Sequence, residues 1–194
     1  MQLNVRDLSF TYEGSYTPVF DHVSFSVDTS WRLGLVARNG RGKTTLLRLM
    51  QGQYPYQGGI DLPLTPVYFP FEVADAGQLT LFVMQQAAPD TPDWRLIREL
   101  NLLQVTEDAL YRPFDTLSRG EQTKALLAAL FAREDVYPLI DEPTNHLDVD
   151  AKEELQRALK AYGGSILMVC HEPEFYEGWA TRVLDCTKWT TKIF

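Results

Sequence analysis

The feature that most constrains the fold is a glycine-containing segment between an apolar run and a helical run. It covers residues 37–45 and reads ARNGRGKTT. Apolar residues 33–36 precede it, and residues 46–50 continue it as an apolar-rich helical run. Strand, glycine-containing loop and helix, in this order, form the context of a phosphate-binding loop, because a helix N-terminus attracts anions. The segment therefore predicts an α/β fold with a phosphate site at this loop.

Individual residues of the segment suit this chemistry. Gly40 and Gly42 lack a Cβ atom, so backbone N–H groups can approach phosphate oxygens closely. We expect Lys43 to reach the β- and γ-phosphates and the Thr44 hydroxyl to bind Mg²⁺. The pattern G-x-x-x-x-G-K-[ST] has Gly where this chain has Ala37, and Ala fits there if its φ angle is negative. The alternative, a glycine-rich surface turn, is disfavoured by the flanking strand and helix.

A second motif lies at residues 139–148, which read LIDEPTNHLD. Apolar residues of a buried strand lead directly into Asp141 and Glu142. Adjacent strand residues point to opposite faces, so only an irregular strand end directs both carboxylates at one site. In an ATP site the first acid holds Mg²⁺ and the second polarises the attacking water. Taken alone, the string also fits an acidic turn that caps a helix.

A third motif, LSRGEQ at residues 117–122, precedes an apolar run at residues 123–131. Ser118 and Glu121 have the spacing of a capping box, so a helix is predicted to begin here. Taken alone, this is a well-capped buried helix. Its position between the phosphate loop and the acidic pair indicates a functional role.

The three motifs together resemble those of an ATP-binding cassette (ABC) nucleotide-binding domain, over almost the whole chain. Residues 117–122 resemble the ABC signature motif, with Arg119 in place of a customary Gly. The strings DEPTNHLD and GEQT are similar to the ABC-F subfamily, whose members are tandem-cassette ATPases that act on ribosomes. Some of them confer antibiotic resistance, and residues 10–15 and 38–42 are most similar to that branch.

The resemblance implies an α/β P-loop NTPase core of the ABC type, with a mixed sheet and a small inserted helical subdomain. Residues 1–194 are then one nucleotide-binding domain. Residues 1–71 and 116–194 form its core, and residues 72–115 its helical subdomain.

The resemblance also implies a set of site residues. Tyr12 stacks on adenine, and the alternative is a core or surface tyrosine. His171 is the switch histidine that contacts the γ-phosphate, and its predicted place at a strand end supports this role independently. The implied catalytic residues are Glu142, His171 and Lys43. The implied nucleotide-binding residues are Tyr12, Arg38, Asn39, Gly40, Arg41, Gly42, Lys43, Thr44 and Thr45. Thr44 and Asp141 are the implied Mg²⁺ ligands, and Ser118, Arg119, Gly120 and Glu121 the signature residues that face a partner's ATP.

Two further positions bear on the resemblance. The family has a Gln after the strand that ends near residues 68–70, but this chain has Phe71 there, so no metal contact through that loop is assigned. His146 is interpreted as a scaffold or dimer-contact residue.

Composition limits the partners. The net charge is −8, and the basic residues near the phosphate loop are explained by ATP, so direct nucleic-acid binding is not expected. No apolar run reaches the ~20 residues of a membrane helix. The N-terminus lacks the features of a signal peptide, so a cytoplasmic protein without stable membrane insertion is expected. Cys170 and Cys186 allow a disulfide, although buried reduced thiols are more typical of such a protein.

Local patterns complete the expectations. Strands are predicted within residues 2–37, at residues 66–69 and 165–170, and from Pro138, because proline cannot donate to a sheet ladder. Helices are predicted within residues 78–112, with one start at Thr91-Pro92, and after a cap at Asp148 or Asp150.

The expected function is binding and hydrolysis of Mg-ATP by an ABC-F-type cassette, as one half of a tandem ATPase acting on the ribosome. The expected partner is a second cassette in head-to-tail arrangement, from the same parent chain or from a homodimer, with ribosome contact through the parent protein. Two alternatives remain open. One is the ATPase subunit of an ABC membrane transporter, and the other is an ATP-gated interaction module without catalysis.

Overall fold

The computed structural model describes residues 1–37, 40–145 and 147–193. In this part of the chain nine strands form two sheets. The strands are β1 (Gln2–Phe10), β2 (Phe20–Asp28), β3 (Arg32–Val36), β4 (Gln57–Asp61), β5 (Thr65–Phe69), β6 (Val136–Asp141), β7 (Ile166–Val169), β8 (Arg182–Asp185) and β9 (Thr190–Ile193). The α-helices are α1 (Lys43–Met50), α2 (Thr80–Ala87), α3 (Asp93–Leu102), α4 (Arg119–Ala132) and α5 (Val149–Ala161). Short 3₁₀ helices cover Glu107–Tyr111, Phe114–Thr116 and Pro173–Tyr176.

The two sheets differ in strand direction. The three-stranded sheet has the order β2-β1-β4 with antiparallel pairs. The six-stranded sheet has the order β5-β6-β7-β3-β8-β9. The pairs β6–β7, β7–β3 and β3–β8 are parallel, and β9 runs antiparallel to β8. The prediction of an α/β fold with a mixed sheet is therefore confirmed.

Burial explains why these segments form strands. In β1 the side chains of Leu3, Val5 and Leu8 are buried, whereas all four residues of β7 are buried. Continuous burial is typical of a parallel strand covered on both faces. The neighbouring parallel strands β6, β7 and β3 end on the same side of the sheet, where ligands commonly bind in α/β folds.

The chain divides into two compact units. The first contains residues 1–68, 136–142 and the chain from Gly164 onward, and it includes α1 and nearly all of both sheets. The second contains residues 69–135 and 143–163, with helices α2 to α5. Residues 72–115, which we propose as the helical subdomain, lie within the second unit.

Several local predictions can be compared with the structure. The expected strand start at Pro138 is wrong, because β6 begins at Val136. Its pairing with β7 runs from Leu139 to Asp141, so that ladder needs no N–H group from Pro138. The start of α3 after Pro92 is confirmed. The cap of α5 is Asp148, whose Oδ1 accepts a hydrogen bond of 2.8 Å from the backbone N–H of Ala151.

Two features bear on chemical environment. Cys170 and Cys186 are both buried, and no disulfide joins them. Within the described residues, every helix is too short or too polar to cross a membrane.

Candidate nucleotide-binding site

The site is organised by the ends of three neighbouring parallel strands. β3 leads into the phosphate loop, β6 ends at Asp141 and continues to Glu142, and β7 leads to Cys170 and His171. Because β6, β7 and β3 are adjacent and parallel, these three connections emerge at one edge of the sheet. The predicted site residues of the first unit are thus brought together by the topology.

Gly42 is required at the junction of loop and helix for two reasons. It caps α1 with φ 81°, in the left-handed region. A Cβ atom there would also lie 2.6 Å from Val19 Cγ1 and 2.9 Å from Phe20 Cζ. Gly40 has a similar φ of 78°, but among the described residues nothing lies within 4 Å of the corresponding Cβ position.

The N-terminus of α1 carries backbone donors that the helix itself does not pair. The first intrahelical hydrogen bond runs from Leu46 N–H to the Gly42 carbonyl, at 2.8 Å. The N–H groups of residues 43–45 therefore have no acceptor within the helix. The first turn carries no acidic residue that would neutralise the positive end of the helix. This end of α1 is suited to bind phosphate.

Lys43 and Ala37 are joined within the loop. Lys43 Nζ donates a hydrogen bond of 2.8 Å to the Ala37 carbonyl, and the lysine is buried. Ala37 is not among the described residues with positive φ. The substitution of Ala for the usual Gly is therefore compatible with the backbone at this position.

A cavity of about 320 Å³ opens beside the loop, and every described residue that lines it belongs to the first unit. Its lining consists of Tyr12, Val19, Gly40, Gly42, Lys43, Thr44, Thr45, Glu142 and His171. Of the predicted nucleotide-binding residues, Arg41 is exposed and does not line the cavity. The predicted residues Arg38, Asn39 and His146 lie outside the described residues.

Tyr12 stands at the cavity in a fixed orientation. Its hydroxyl and that of Thr45 are 2.9 Å apart and hydrogen-bonded. Its ring packs edge-on against Phe10 and Tyr54, with centroid distances of 4.8 and 5.6 Å. These contacts hold the ring at the mouth of the phosphate loop.

Asp141 is buried and its two oxygens differ in environment. Oδ2 accepts a hydrogen bond of 2.8 Å from the hydroxyl of Tyr68. Oδ1 is buried and has no hydrogen-bond partner among the described residues. Burial, followed by the contact with Asp141, raises the pKa of Tyr68 to about 12. A buried carboxylate oxygen without a partner fits the approach of a cation.

Glu142 follows β6 directly, and the regular alternation of side chains along the strand ends at this residue. Its φ is 51°, in the left-handed region, and its N–H donates to the Val169 carbonyl at 2.9 Å. Carboxylate oxygen Oε2 accepts a hydrogen bond of 3.1 Å from the backbone N–H of His171. Oxygen Oε1 lies 3.1 Å from His171 Nε2, within ion-pair range but without hydrogen-bond geometry. The strand end is thus irregular, as two adjacent site carboxylates require.

The pKa of Glu142 is shifted by opposing effects. Burial is the largest effect and raises this pKa above its ordinary value. The proximity of His171 and its backbone N–H lower it, and the neighbouring Asp141 raises it further. A carboxyl with a raised pKa at the edge of a cavity is suited to proton transfer.

The donor set around the cavity suits a hard cation that also binds phosphate. Within the described residues, no group of three or more His, Cys, Asp or Glu is arranged to hold a metal by itself. Mg²⁺ in nucleotide sites takes only one or two protein oxygens, and water and phosphates complete its shell. Thr44 at the cavity and the buried Asp141 Oδ1, which has no hydrogen-bond partner among the described residues, agree with this pattern. Asp141 itself is not among the described residues that line the cavity.

The predicted signature residues form a helix cap in the second unit. Ser118 Oγ accepts a hydrogen bond of 3.2 Å from the N–H of Glu121, and the N–H of Ser118 donates to Glu121 Oε2 at 2.8 Å. This capping box begins α4 and confirms the prediction from spacing. Ser118 and Arg119 are exposed. These residues belong to the second unit, and the residues that line the cavity belong to the first.

Sequence reasoning missed Tyr176, which ties the ends of β3 and β7 together. Its buried hydroxyl accepts a hydrogen bond of 2.7 Å from Cys170 N–H and donates to the Leu35 carbonyl at 2.9 Å. Its ring lies so close to Gly34 that a Cβ there would be 2.6 Å from the ring. Leu35 and Tyr176 are 141 positions apart, so no local pattern indicates their contact.

Comparison with known proteins shows the family of this chain. The family model described as ABC transporter matches residues 20–145. The chain is 35% identical over 192 residues to the uncharacterized ABC transporter ATP-binding protein YfmM of Bacillus subtilis, covering 97% of this chain and 36% of that protein. It is 31% identical over 182 residues to ABC transporter F family member 3 of Arabidopsis thaliana, covering 91% of this chain and 25% of that protein.

Solved structures show the same fold. A Pyrococcus furiosus protein described as an ABC transporter ATP-binding protein superposes with a TM-score of 0.81 at 19% identity, covering 98% of this chain and 100% of that chain. The chain spans only about a third or less of the length of the curated relatives named above. Because the family match covers more than half of the chain, the chain belongs to the ABC transporter family, and F family members are among its relatives.

Proposed function

We propose that this domain binds Mg-ATP and hydrolyses its terminal phosphoanhydride bond. The observation that carries the proposal is one cavity lined by Tyr12, Lys43, Glu142 and His171, beside the N-terminus of α1. A lysine, backbone donors at a helix start and a carboxylate are groups that serve hydrolysis of a nucleoside triphosphate, and an aromatic ring can stack on its base.

Each group has a distinct role in this proposal. Lys43 and the N–H groups at the start of α1 bind the phosphates, which exchanges the Lys43 contact with Ala37 for contacts with phosphate oxygens. Tyr12 stacks on the base. Thr44 and Asp141 hold Mg²⁺, which neutralises negative charge on the phosphates when bound.

The reacting water is oriented by Glu142. Its pKa is raised by burial, so it is a stronger base than an exposed glutamate. The backbone N–H of His171 holds one carboxylate oxygen, while Oε1 has no hydrogen bond within the described residues. Oε1 is therefore available to a water molecule, and the His171 imidazole contacts the γ-phosphate in this proposal.

The active site is completed by a second cassette. The domain carries one phosphate loop and one LSRGEQ motif. We infer that Ser118 and Gly120 of one cassette contact the ATP of another in head-to-tail arrangement. The exposed start of α4 supplies the Ser118 hydroxyl for this contact.

The parent protein is proposed to be a tandem ATPase acting on the ribosome, in translation or antibiotic resistance. F family relatives and the DEPTNHLD string support this assignment. A net charge of −8 disfavours RNA contact by this domain alone, so other segments of a longer protein would make that contact.

A membrane transporter ATPase is the second candidate. It is favoured by the description of YfmM as an ABC transporter ATP-binding protein. Two fractionations separate the candidates. Co-sedimentation of the parent protein with ribosomes in the presence of ATP supports the first, and co-purification with a membrane partner supports the second.

The ATPase proposal itself is tested by phosphate release from purified protein. The expected result is Mg²⁺-dependent release that Glu142→Gln abolishes while nucleotide binding remains. Binding of Mg-ATP without any release at high protein concentration would instead support an ATP-gated interaction module.

A further inference from the structure

Tyr68 connects a basic residue to the acid at the end of β6. Its hydroxyl donates a hydrogen bond of 2.8 Å to Asp141 Oδ2. Arg48, in α1, lies close to the hydroxyls of Tyr54 and Tyr68, and this proximity raises the pKa of its guanidinium group. Arg48, Tyr68 and Asp141 therefore form a chain of side chains from α1 through β5 to β6, all within the first unit.

The direction of this chain is determined by chemistry. A guanidinium group only donates hydrogen bonds, and an ionised carboxylate only accepts them. The single proton of the Tyr68 hydroxyl must therefore point to Asp141 Oδ2. The nearby Arg48 cation repels that proton and favours the same orientation, toward the carboxylate.

The hydrogen bond from Tyr68 determines which oxygen of Asp141 can bind another ligand. Because Oδ2 is bound to Tyr68, the carboxylate is held in one orientation. Oδ1, buried and without a hydrogen-bond partner among the described residues, is the oxygen left for another ligand. Carboxylate ligands of metals are commonly oriented by such outer hydrogen bonds, and losing one typically lowers metal affinity by about 10–100-fold.

We propose that Tyr68, oriented by Arg48, is a positioning residue that presents Asp141 Oδ1 to the Mg²⁺ of bound Mg-ATP. This inference rests on the proposed function. In this chain Phe71 stands where the family has a glutamine, and its side chain has no polar group. The Tyr68 hydroxyl would be a polar group that supports the metal site instead. Tyr68 itself is not assigned contact with the metal or with the nucleotide.

The test compares nucleotide affinity with and without Mg²⁺. Tyr68→Phe removes the hydroxyl and keeps the ring. The dissociation constant of a non-hydrolysable ATP analogue is measured by calorimetry in Mg²⁺ and in EDTA. We expect the affinity gained from Mg²⁺ to fall by about 10-fold in the variant, in line with outer-sphere substitutions. The affinity in EDTA should stay unchanged, because the base and phosphate contacts remain.

The matched control is Tyr137→Phe, because Tyr137 lies in the same strand as Asp141 and its buried hydroxyl has no partner among the described residues. It should leave the Mg²⁺ dependence unchanged. Arg48→Met is a second variant that keeps the length of the side chain, and it should reduce the Mg²⁺ dependence by a smaller factor. In an Asp141→Ala background, Tyr68→Phe should have no further effect on Mg²⁺ dependence.

The outcomes distinguish failure of the proposed function from failure of the proposed role of Tyr68. If the unsubstituted domain binds no nucleotide, both the proposed function and this inference are overturned. If Mg²⁺ increases the nucleotide affinity of the unsubstituted domain and of Tyr68→Phe by the same factor, only the role of Tyr68 is overturned. If Tyr68→Phe loses the same factor of nucleotide affinity in Mg²⁺ and in EDTA, Tyr68 has a purely structural role and the proposed positioning role is overturned. Thermal melts of each variant distinguish this case from incomplete folding, and Arg48→Met decides the matter if Tyr68→Phe does not fold.

Discussion

The backbone N–H of His171 donates a hydrogen bond of 3.1 Å to Glu142 Oε2, although the two residues are 29 positions apart. The imidazole Nε2 of the same histidine lies 3.1 Å from Oε1. The relationship joins the residue after β6 to the loop after β7, and it leaves the glutamate facing the cavity. Two groups that local sequence cannot connect are therefore paired at the proposed reaction centre.

Glu142→Gln should preserve nucleotide binding and remove most turnover. Glutamine keeps the shape of the side chain but cannot act as a base, and a general base typically contributes about 10²–10⁴-fold. Phosphate release and nucleotide binding measured on the same preparation check this expectation. Lys43→Ala is the contrasting variant, because it should weaken binding itself. Turnover at the parent rate in Glu142→Gln would exclude the assignment of Glu142 as base.

Tyr12→Ala should weaken ATP binding by roughly 1–3 kcal/mol, the range for loss of one base–aromatic stack. Binding of inorganic triphosphate should hardly change, because it has no base. Tyr12→Phe is the matched control, since it keeps the ring and removes only the hydrogen bond to Thr45. Calorimetric titrations with both ligands provide the measurement. Equal losses for ATP and triphosphate would show that Tyr12 is structural.

Gly42→Ala should destabilise the domain more than Gly40→Ala. Both glycines have φ near 80°, where an L-residue is strained by roughly 1–2 kcal/mol. Only at Gly42 does the added Cβ also collide with Val19 and Phe20, and overpacking of this kind adds roughly 1–3 kcal/mol. Urea unfolding of the two variants gives the difference. Equal stabilities would contradict the packing argument.

The capping box of α4 should contribute a pH-dependent stability. Hydrogen bonds from Ser118 lower the pKa of Glu121 in the folded state, so its ionised form stabilises the fold. This contribution is present above the unfolded pKa of about 4.3, and it is lost as pH falls through the lower folded pKa. Glu121→Ala should therefore lower the melting temperature at neutral pH, with the difference shrinking in acid. Glu153→Ala, which removes an exposed glutamate of α5, is the control and should show a smaller effect.

The isolated domain should hydrolyse ATP with a rate per molecule that rises with protein concentration. The cause is the proposed composite site, in which the single signature motif of one molecule contacts the ATP of another molecule. A charge of −8 on each copy opposes association, more strongly at low salt. Sedimentation of Glu142→Gln with Mg-ATP should reveal dimers that are absent without nucleotide. Full-rate hydrolysis by a strictly monomeric species would rule out the composite site.

Short-range patterns were sufficient for many elements and insufficient for others. The capping box at Ser118 and Glu121, the Asp148 cap and the start after Pro92 follow from hydrogen-bonding preferences within a few residues, and the structure has all three. Strands β4, β8 and β9 were not predicted, and β4 contains two adjacent glycines that weaken any strand pattern. Their existence depends on pairing with distant partners, such as β1 for β4.

The sequence by itself determined the phosphate loop, the adjacent acids and the capped helix, because each requires particular residue types at fixed spacing. Tertiary structure alone decided how these parts meet. It placed Tyr68 against Asp141, His171 against Glu142 and Tyr176 across the ends of β3 and β7. These contacts join residues far apart in the chain, and they arise because parallel strands bring their carboxyl ends to one edge of a sheet. No local preference encodes that proximity, since it results from the order in which the strands pair.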